Sequence, residues 1–290
     1  MNTRIRVTVA AATMALLVGM SACTADGARQ AVESAPKAAD KTVDTSKSVL
    51  ALLMAADERT QKAQSAKVTA SMVTADGSKG MNARGIWSWG EHSGFEMESP
   101  AAEMDMQDLV ADGTITWRFV DGTYYYEVDP ADDGPFKGKR WLKLDAAAIM
   151  GKKAAAQMKA ASTGGMDPTQ ALRSIRYAKE ARDLGQETVA GRSARHYQAT
   201  TRLDQLKGKS SGELFRSLPA SQTGGNITSI TCDIWLDAQG MPVRLGQKVG
   251  KMRMDFTFEE FGRVRPVLAP PASQTADLRS MLSNSAEHAD

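Results

Sequence analysis

Apolar and polar residues alternate with a period of two along most of the chain, the signature of half-buried β-strands. In KVTASMVTADG, Val68, Ala70 and Met72 alternate with polar neighbours, and in ARGIWSWG, Trp87 and Trp89 share a face. FEMES and AEMDMQ place Phe95, Met97, Met104 and Met106 between acids, which extends the same reading. TITWRFV (Thr114 to Val120) puts Ile115 and Trp117 on one side, and TYYYEV and RWLKLD follow as further strands. The Asp-Gly pairs at 76–77, 112–113 and 121–122 supply the positive φ angles that tight hairpins need. After Leu184 a hairpin is expected through Ala190, Gly191 and Arg192. Three strands then close the body: SITCDIWLD, with Ile230, Cys232 and Ile234 in step; MPVRLGQKV; and KMRMDFTFEEF, in which Met252, Met254, Phe256 and Phe258 alternate with polar residues.

Helical periodicity interrupts this pattern in a few places. Val49, Leu53, Ala56 and Ala63 recur at helical spacing between Thr45 and Ala66. Ala146 to Ala161 carries Met150, Ala154 and Met158 four apart. Asp167-Pro168 then caps a second helix through about Ala178, with Leu172 and Ile175 facing inward. A short helical stretch is expected from Asp204, including ELFRSL, before the break at Gly224-Gly225. Pro266, Pro270 and Pro271 stop the sheet, and Ala276 to Leu282 reads as a last helical turn or two. No recurring alternation of strand and crossover helix occurs, so a doubly wound parallel sheet is not expected. The fold class predicted is α+β: a single curved antiparallel sheet, an open half-barrel, with helices packed on its concave face.

The first residues follow another logic. Arg4 and Arg6 precede an apolar stretch from about Val7 to Val18, which ends in Gly19, Ser21 and Ala22. That run is short for a membrane span, which needs about 20 apolar residues, and it matches an export signal. The GMSAC segment resembles a bacterial lipobox, in which the cysteine, here Cys23, receives a diacylglycerol; Met20 departs from the usual leucine. Ordinary cleavage near Ala22 or Ala25 is the competing reading. TADGARQAVESAPKAADK, residues 24 to 41, has too little large apolar surface to offset the entropy of ordering. The expected organisation is therefore a lipoprotein signal peptide over 1–22, a flexible tether over 23–44 and one domain over 45–290, carried on the outer face of the cytoplasmic membrane.

Charge narrows the partners. The chain holds 36 Lys and Arg against 34 Asp and Glu, and removal of the signal with Arg4 and Arg6 leaves the two signs balanced. Nothing marks a nucleic-acid surface. Two cysteines and three histidines, widely scattered, make neither a disulfide framework nor a structural zinc site. No cofactor is implied.

Three segments carry a resemblance: GQETVAGRSARHYQATTRLDQL (185–206), CDIWLDAQGMPVRLGQKV (232–249) and FGRVRPVLAPPASQTADL (261–278). They resemble the actinobacterial lipoproteins related to the mycobacterial lipid and lipoglycan carriers, of the LolA-like superfamily. The resemblance implies an open half-barrel around an apolar cavity that accepts acyl chains, with no catalytic residues. On it Gly191 and Gly240 match turn positions, His196, Tyr197 and Trp235 strand positions, and Pro242 the start of a strand.

The chain carries little reactive chemistry to oppose this. His92, His196 and His288 are far apart, and neither a nucleophile elbow nor a phosphate loop is present. His196 is read as a structural histidine in a strand, and Asp129, Asp132 and Asp133 as a solvated turn because their spacing lacks that of a calcium loop. Cys232 reads as a quiet buried thiol. The methionines on strand faces suit a surface that adapts to variable chains, although core filling explains any one of them. The candidate ligand pocket is therefore Met72, Trp87, Met97, Met104, Ile115 and Trp117 from the first half of the sheet, with Ile230, Ile234, Met252, Met254 and Phe256 from the second. The function this implies is an anchored carrier or sensor for a lipid, acyl chain or lipoglycan. The alternatives are an envelope module that binds a partner protein without lipid and an exported hydrolase, for which the sequence offers little.

Overall fold

The computed structural model describes residues 37–77, 79–89, 93–133, 137–145, 169–208, 212, 215–216, 218 and 220–278. The expected helix at Ala146 to Ala161, and Cys23 with the signal and the first part of the tether, lie outside the described residues. Residues from Ala39 onward form one compact unit.

Helix α1 (Lys37–Ala63) opens it. It begins ahead of the expected Thr45, because the lysines and alanines of KAADK are good helix formers, and so takes in the end of the stretch read as tether. Five strands follow: β1 (Ser65–Val73), β2 (Lys79–Ser88), β3 (Gly94–Pro100), β4 (Thr114–Val120) and β5 (Thr123–Glu127). Then come β6 (Trp141–Asp145), α2 (Gln170–Ser174), β7 (Glu180–Val189) and β8 (Arg192–Arg202). A short α3 (Ala220–Thr223) leads into β9 (Ser229–Leu236), β10 (Pro242–Val249), β11 (Met252–Glu259) and β12 (Thr275–Asp277).

All twelve strands form one sheet, in the order β12-β6-β5-β4-β3-β2-β1-β11-β10-β9-β8-β7. It is open, since β12 and β7 are its two edges. Neighbours are antiparallel except β12 and β6, which run parallel. Two meanders, β1 to β6 and β7 to β11, are joined in the middle by the long-range pair β1 and β11, with Ala70 opposite Phe256 and Met72 opposite Met254. The tight turns form where expected: Asp121 and Gly122 take φ of 51° and 83°, and Ala190 and Gly191 take 50° and 71°, the two positive angles of a type I′ hairpin.

One side of the sheet is apolar. Its core residues form a single cluster that also includes Val49, Leu53 and Ala56 of α1 and Leu172 and Ile175 of α2 with the turn after it, so both helices pack on this face. Gly85 lets β2 and β3 approach closely there. A Cβ at that position would stand 2.0 Å from the Glu96 carbonyl oxygen and 2.8 Å from Met97 Cα.

Two sequence expectations are corrected. AEMDMQ is not a strand: Pro100 closes β3, and the chain turns through 3₁₀ segments Ala101–Met104 and Gln107–Leu109 with Asp105 left-handed. Met104 and Met106 nonetheless pack against the core cluster. The end of the chain does not simply leave the sheet, either. Thr275–Asp277 is β12 and pairs with Trp141, Leu142 and Lys143 of β6, where a helical turn was expected; three residues are too few for periodicity to separate the two. The strap between β11 and β12 is held as it goes. Arg265 pairs with Glu96, Arg118 donates to the Leu268 carbonyl at 3.1 Å, and the Arg140 amide donates to the Gln274 carbonyl at 3.0 Å. The stretch from Asp204 likewise starts as a 3₁₀ turn, Leu203–Leu206.

Candidate functional site

The register of the strands sorts the apolar face into rows. Nearest one end of β1, Met81, Met72 and Met254 stand side by side on β2, β1 and β11, with Gln247 and Cys232 continuing the row on β10 and β9. Direct cross-strand neighbours have Cβ atoms about 5 Å apart, so these side chains touch the same volume. The 3₁₀ segment with Met104 is fastened beside them: the Asn82 amide and side-chain nitrogen donate to Glu103 at 2.7 and 2.8 Å. The next rows inward run through Phe256, Ala70 and Ala83, then Phe258, Val68, Gly85 and Met97.

Two walls flank this centre. On β2 to β5 the face is aromatic: Phe95 lies 4.7 Å from both Trp87 and Trp117 and 5.6 Å from Phe119. Phe119 meets Tyr124 at 4.8 Å, and Tyr124 stacks on Tyr126 at 6.2 Å. The Trp117 indole N–H donates to the Ser99 hydroxyl at 3.0 Å. On β8 to β10 the wall is aliphatic, with Ile230, Ile234, Leu236 and Leu245 buried and Cys232 among them. Its cover is α2 and the turn after it, held by a polar seam in which the Cys232 thiol bonds Ser174 and Gln247. Burial pushes this thiol up to about 12, so it is protonated and unreactive at neutral pH.

Helix α1 ties the two walls together. The Ser46 hydroxyl accepts from the Ala181 amide of β7 at 3.0 Å, and the Thr60 carbonyl accepts from the Trp89 indole at 3.1 Å. Between them Asp57, buried, accepts from Arg176 at 3.1 Å. Burial is the strongest influence on this carboxyl and raises it above its ordinary range despite Arg176.

Every residue of the candidate pocket lies in or against the one cluster. Trp87, Met97, Ile115, Trp117, Ile230, Ile234 and Met252 are buried in it, and Met72, Met104, Met254 and Phe256 are only half-buried and pack on its margin. The sequence reading left out Met81 and Tyr126, which share that margin. Met81 follows an irregularity between Met72 and Val73 in the β1 and β2 pairing, which masks its alternation; Tyr126 could have been found from its two-residue step from Tyr124.

The opposite face holds a second constellation. His196 sits between Glu187, 2.9 Å from Nδ1, and Asp233, 3.0 Å from Nε2. Its ring stacks on Trp235 at 4.2 Å, whose indole N–H donates to Glu187 at 2.9 Å. These bonds, from Trp235 first and His196 second, hold the Glu187 carboxyl below its usual range. Arg244 lies over Trp235 and pairs with Asp255. The cluster bolts edge strand β7 to β8 and β9. Two grooves of about 300 and 320 Å³ also open on this face across β11 to β4, lined by residues such as Thr69, Arg84 and Glu98. None of their lining residues belongs to the expected pocket, and the Arg84–Glu98 ion pair stands among them. Among the described residues no three His, Cys, Asp or Glu side chains converge to hold a metal ion, and no helix is long and apolar enough to cross a membrane.

An open, mostly antiparallel sheet with one apolar face and helices laid on it defines the class of protein. No family model matches the sequence. A curated relative, an uncharacterized 31.2 kDa protein in the rplA-rplJ intergenic region of Streptomyces griseus, is 26% identical over 249 residues, which cover 81% of each chain. Among solved structures the chain is similar to the lipoprotein LppX of Mycobacterium tuberculosis, at 11% identity and a TM-score of 0.49 over 76% of this chain and 99% of that one. It is similar also to LprF of Mycobacterium bovis, at 12% identity and 0.48 over 78% and 98%.

Proposed function

We propose that this protein is an exported lipoprotein, held on the outer face of the cytoplasmic membrane through Cys23, that shelters a lipid, acyl chain or lipoglycan against the apolar face as a carrier or sensor. One observation carries the reading: the apolar surface does not end at the core. Met72, Met81, Met104, Met254 and Phe256 pack against a closed cluster yet are themselves only partly buried. Unbranched thioethers adapt to chains of varied shape, and each methylene brought out of water contributes roughly 0.8 kcal/mol. A long acyl chain therefore supplies affinity without a charged contact. The signal-like N-terminus supports the location, and the half-buried margin supports the ligand class.

Native mass spectrometry of the full-length lipoprotein, purified in mild detergent, tests the ligand. Hydrocarbon is expected to co-purify, and to be lost from a Met72→Glu, Met254→Glu protein that keeps its unfolding midpoint. Repeated recovery of empty protein defeats the reading. The anchor has a separate test: Cys23→Ala should abolish labelling by a fatty-acid probe.

A further inference from the structure

Helix α1 is apolar on more sides than the core uses. Val49–Ala56 is an unbroken apolar run, and with about 100° between residues only part of it can face the sheet. Val49, Leu53 and Ala56 are buried there. Leu52 and Met54 project about 100° to either side of Leu53 and are 41% and 48% exposed. Ala51, exposed, lies near the outermost line of the helix, with Ala55 beside it. Around this patch stand Lys47, Arg59 and Lys62, all exposed, against Glu58 as the one exposed acid between Thr45 and Ala63. An apolar strip flanked by excess basic charge is the pattern of a helix that lies in a membrane interface.

From this we infer that the outward side of α1 docks on an anionic bilayer. The inference rests on the anchored reading above, which also names the occupant. Residues 24 to 36 separate Cys23 from α1, and at up to about 3.5 Å per residue they hold the helix within roughly 50 Å of the membrane. Insertion of Leu52 and Met54 would then set the sheet's apolar face, which α1 borders, beside the lipid it is proposed to take up.

The test uses the full-length lipidated protein in phosphatidylethanolamine and phosphatidylglycerol vesicles. A nitrobenzoxadiazole label goes on Ala51→Cys, or as a control on Lys248→Cys of β10; Cys232 is buried and does not compete. Nitroxide-bearing lipid should quench the Ala51 label at least about threefold more than the control. Leu52→Glu with Met54→Glu should bring quenching down to the control, and exchange of phosphatidylglycerol for phosphatidylcholine should lower it about twofold. Equal quenching at the two labels on anchored protein overturns the docking and leaves the carrier reading standing, as does crosslinking of Ala51→Cys to a second copy of the chain. Protein that washes off the vesicles overturns both the docking and the anchor.

Discussion

The aromatic and aliphatic walls of the same sheet face solve one packing problem in two ways. On β2 to β5, ring meets ring: Phe95 touches Trp87, Trp117 and Phe119, so the wall fills space largely with its own side chains. On β8 to β10 the side chains are branched aliphatics, and Leu172 and Ile175 from the overlying helical segment join them in the cluster. A self-filled wall can lose its cover and keep its shape, whereas a wall finished by a helix cannot. The half-buried methionines lie between the two, at a stretch of this face that, among the described residues, neither strategy closes.

This difference can be broken by experiment. The largest effect is expected from Phe95→Ala, at about 3–5 kcal/mol, read as a lower denaturant midpoint; hydrogen exchange should accelerate in β2 to β5 and leave β8 to β10 protected. Ile175→Ala should cost about 2–5 kcal/mol with the reverse pattern of exchange. If both variants loosen the whole sheet equally, the walls are not separate. Gly85→Ala drives a Cβ into the backbone of β3, and overpacking of this kind costs about 1–3 kcal/mol; it should part β2 from β3 and disturb the aromatic wall alone.

The smallest effect concerns the helix that spans the walls. Because burial raises the folded carboxyl of Asp57, the folded state favours its protonated form. The ionised form then weighs against folding at neutral pH, and that penalty is relieved as pH falls through the raised folded value towards the unfolded value of 3.8. Asp57→Asn should therefore leave stability unchanged or slightly higher at pH 7, with the advantage gone at pH 3; a marked loss at pH 7 would mean that the Arg176 pair outweighs burial.

Much of the fold was legible because period two is a local signal. Met252, Met254, Phe256 and Phe258 declare their strand without help, and Asp121-Gly122 declares its turn. What escaped was of two kinds. Pairing between β1 and β11 joins residues such as Thr69 and Thr257, and a single sequence contains no term for that distance. Alternation also misled where a local breaker outranked it, as when Pro100 and the left-handed Asp105 turned Met104 and Met106 into 3₁₀ geometry. The candidate site was legible as a list of apolar strand residues. Its division into buried wall and half-open margin was not, since that depends on which neighbours arrive from elsewhere in the chain. The His196 constellation shows the same limit: Glu187, His196 and Asp233 look unrelated until three adjacent strands set them in line.

Strand β12 bears on how the molecule is made. A chain made from its N-terminal end delivers β6 long before Thr275–Asp277 emerges, so β6 waits with its outer hydrogen-bonding groups bare. The last strand to arrive then acts as a clasp on that waiting edge, and the moment of its arrival marks when β6 is closed to pairing with a neighbouring copy.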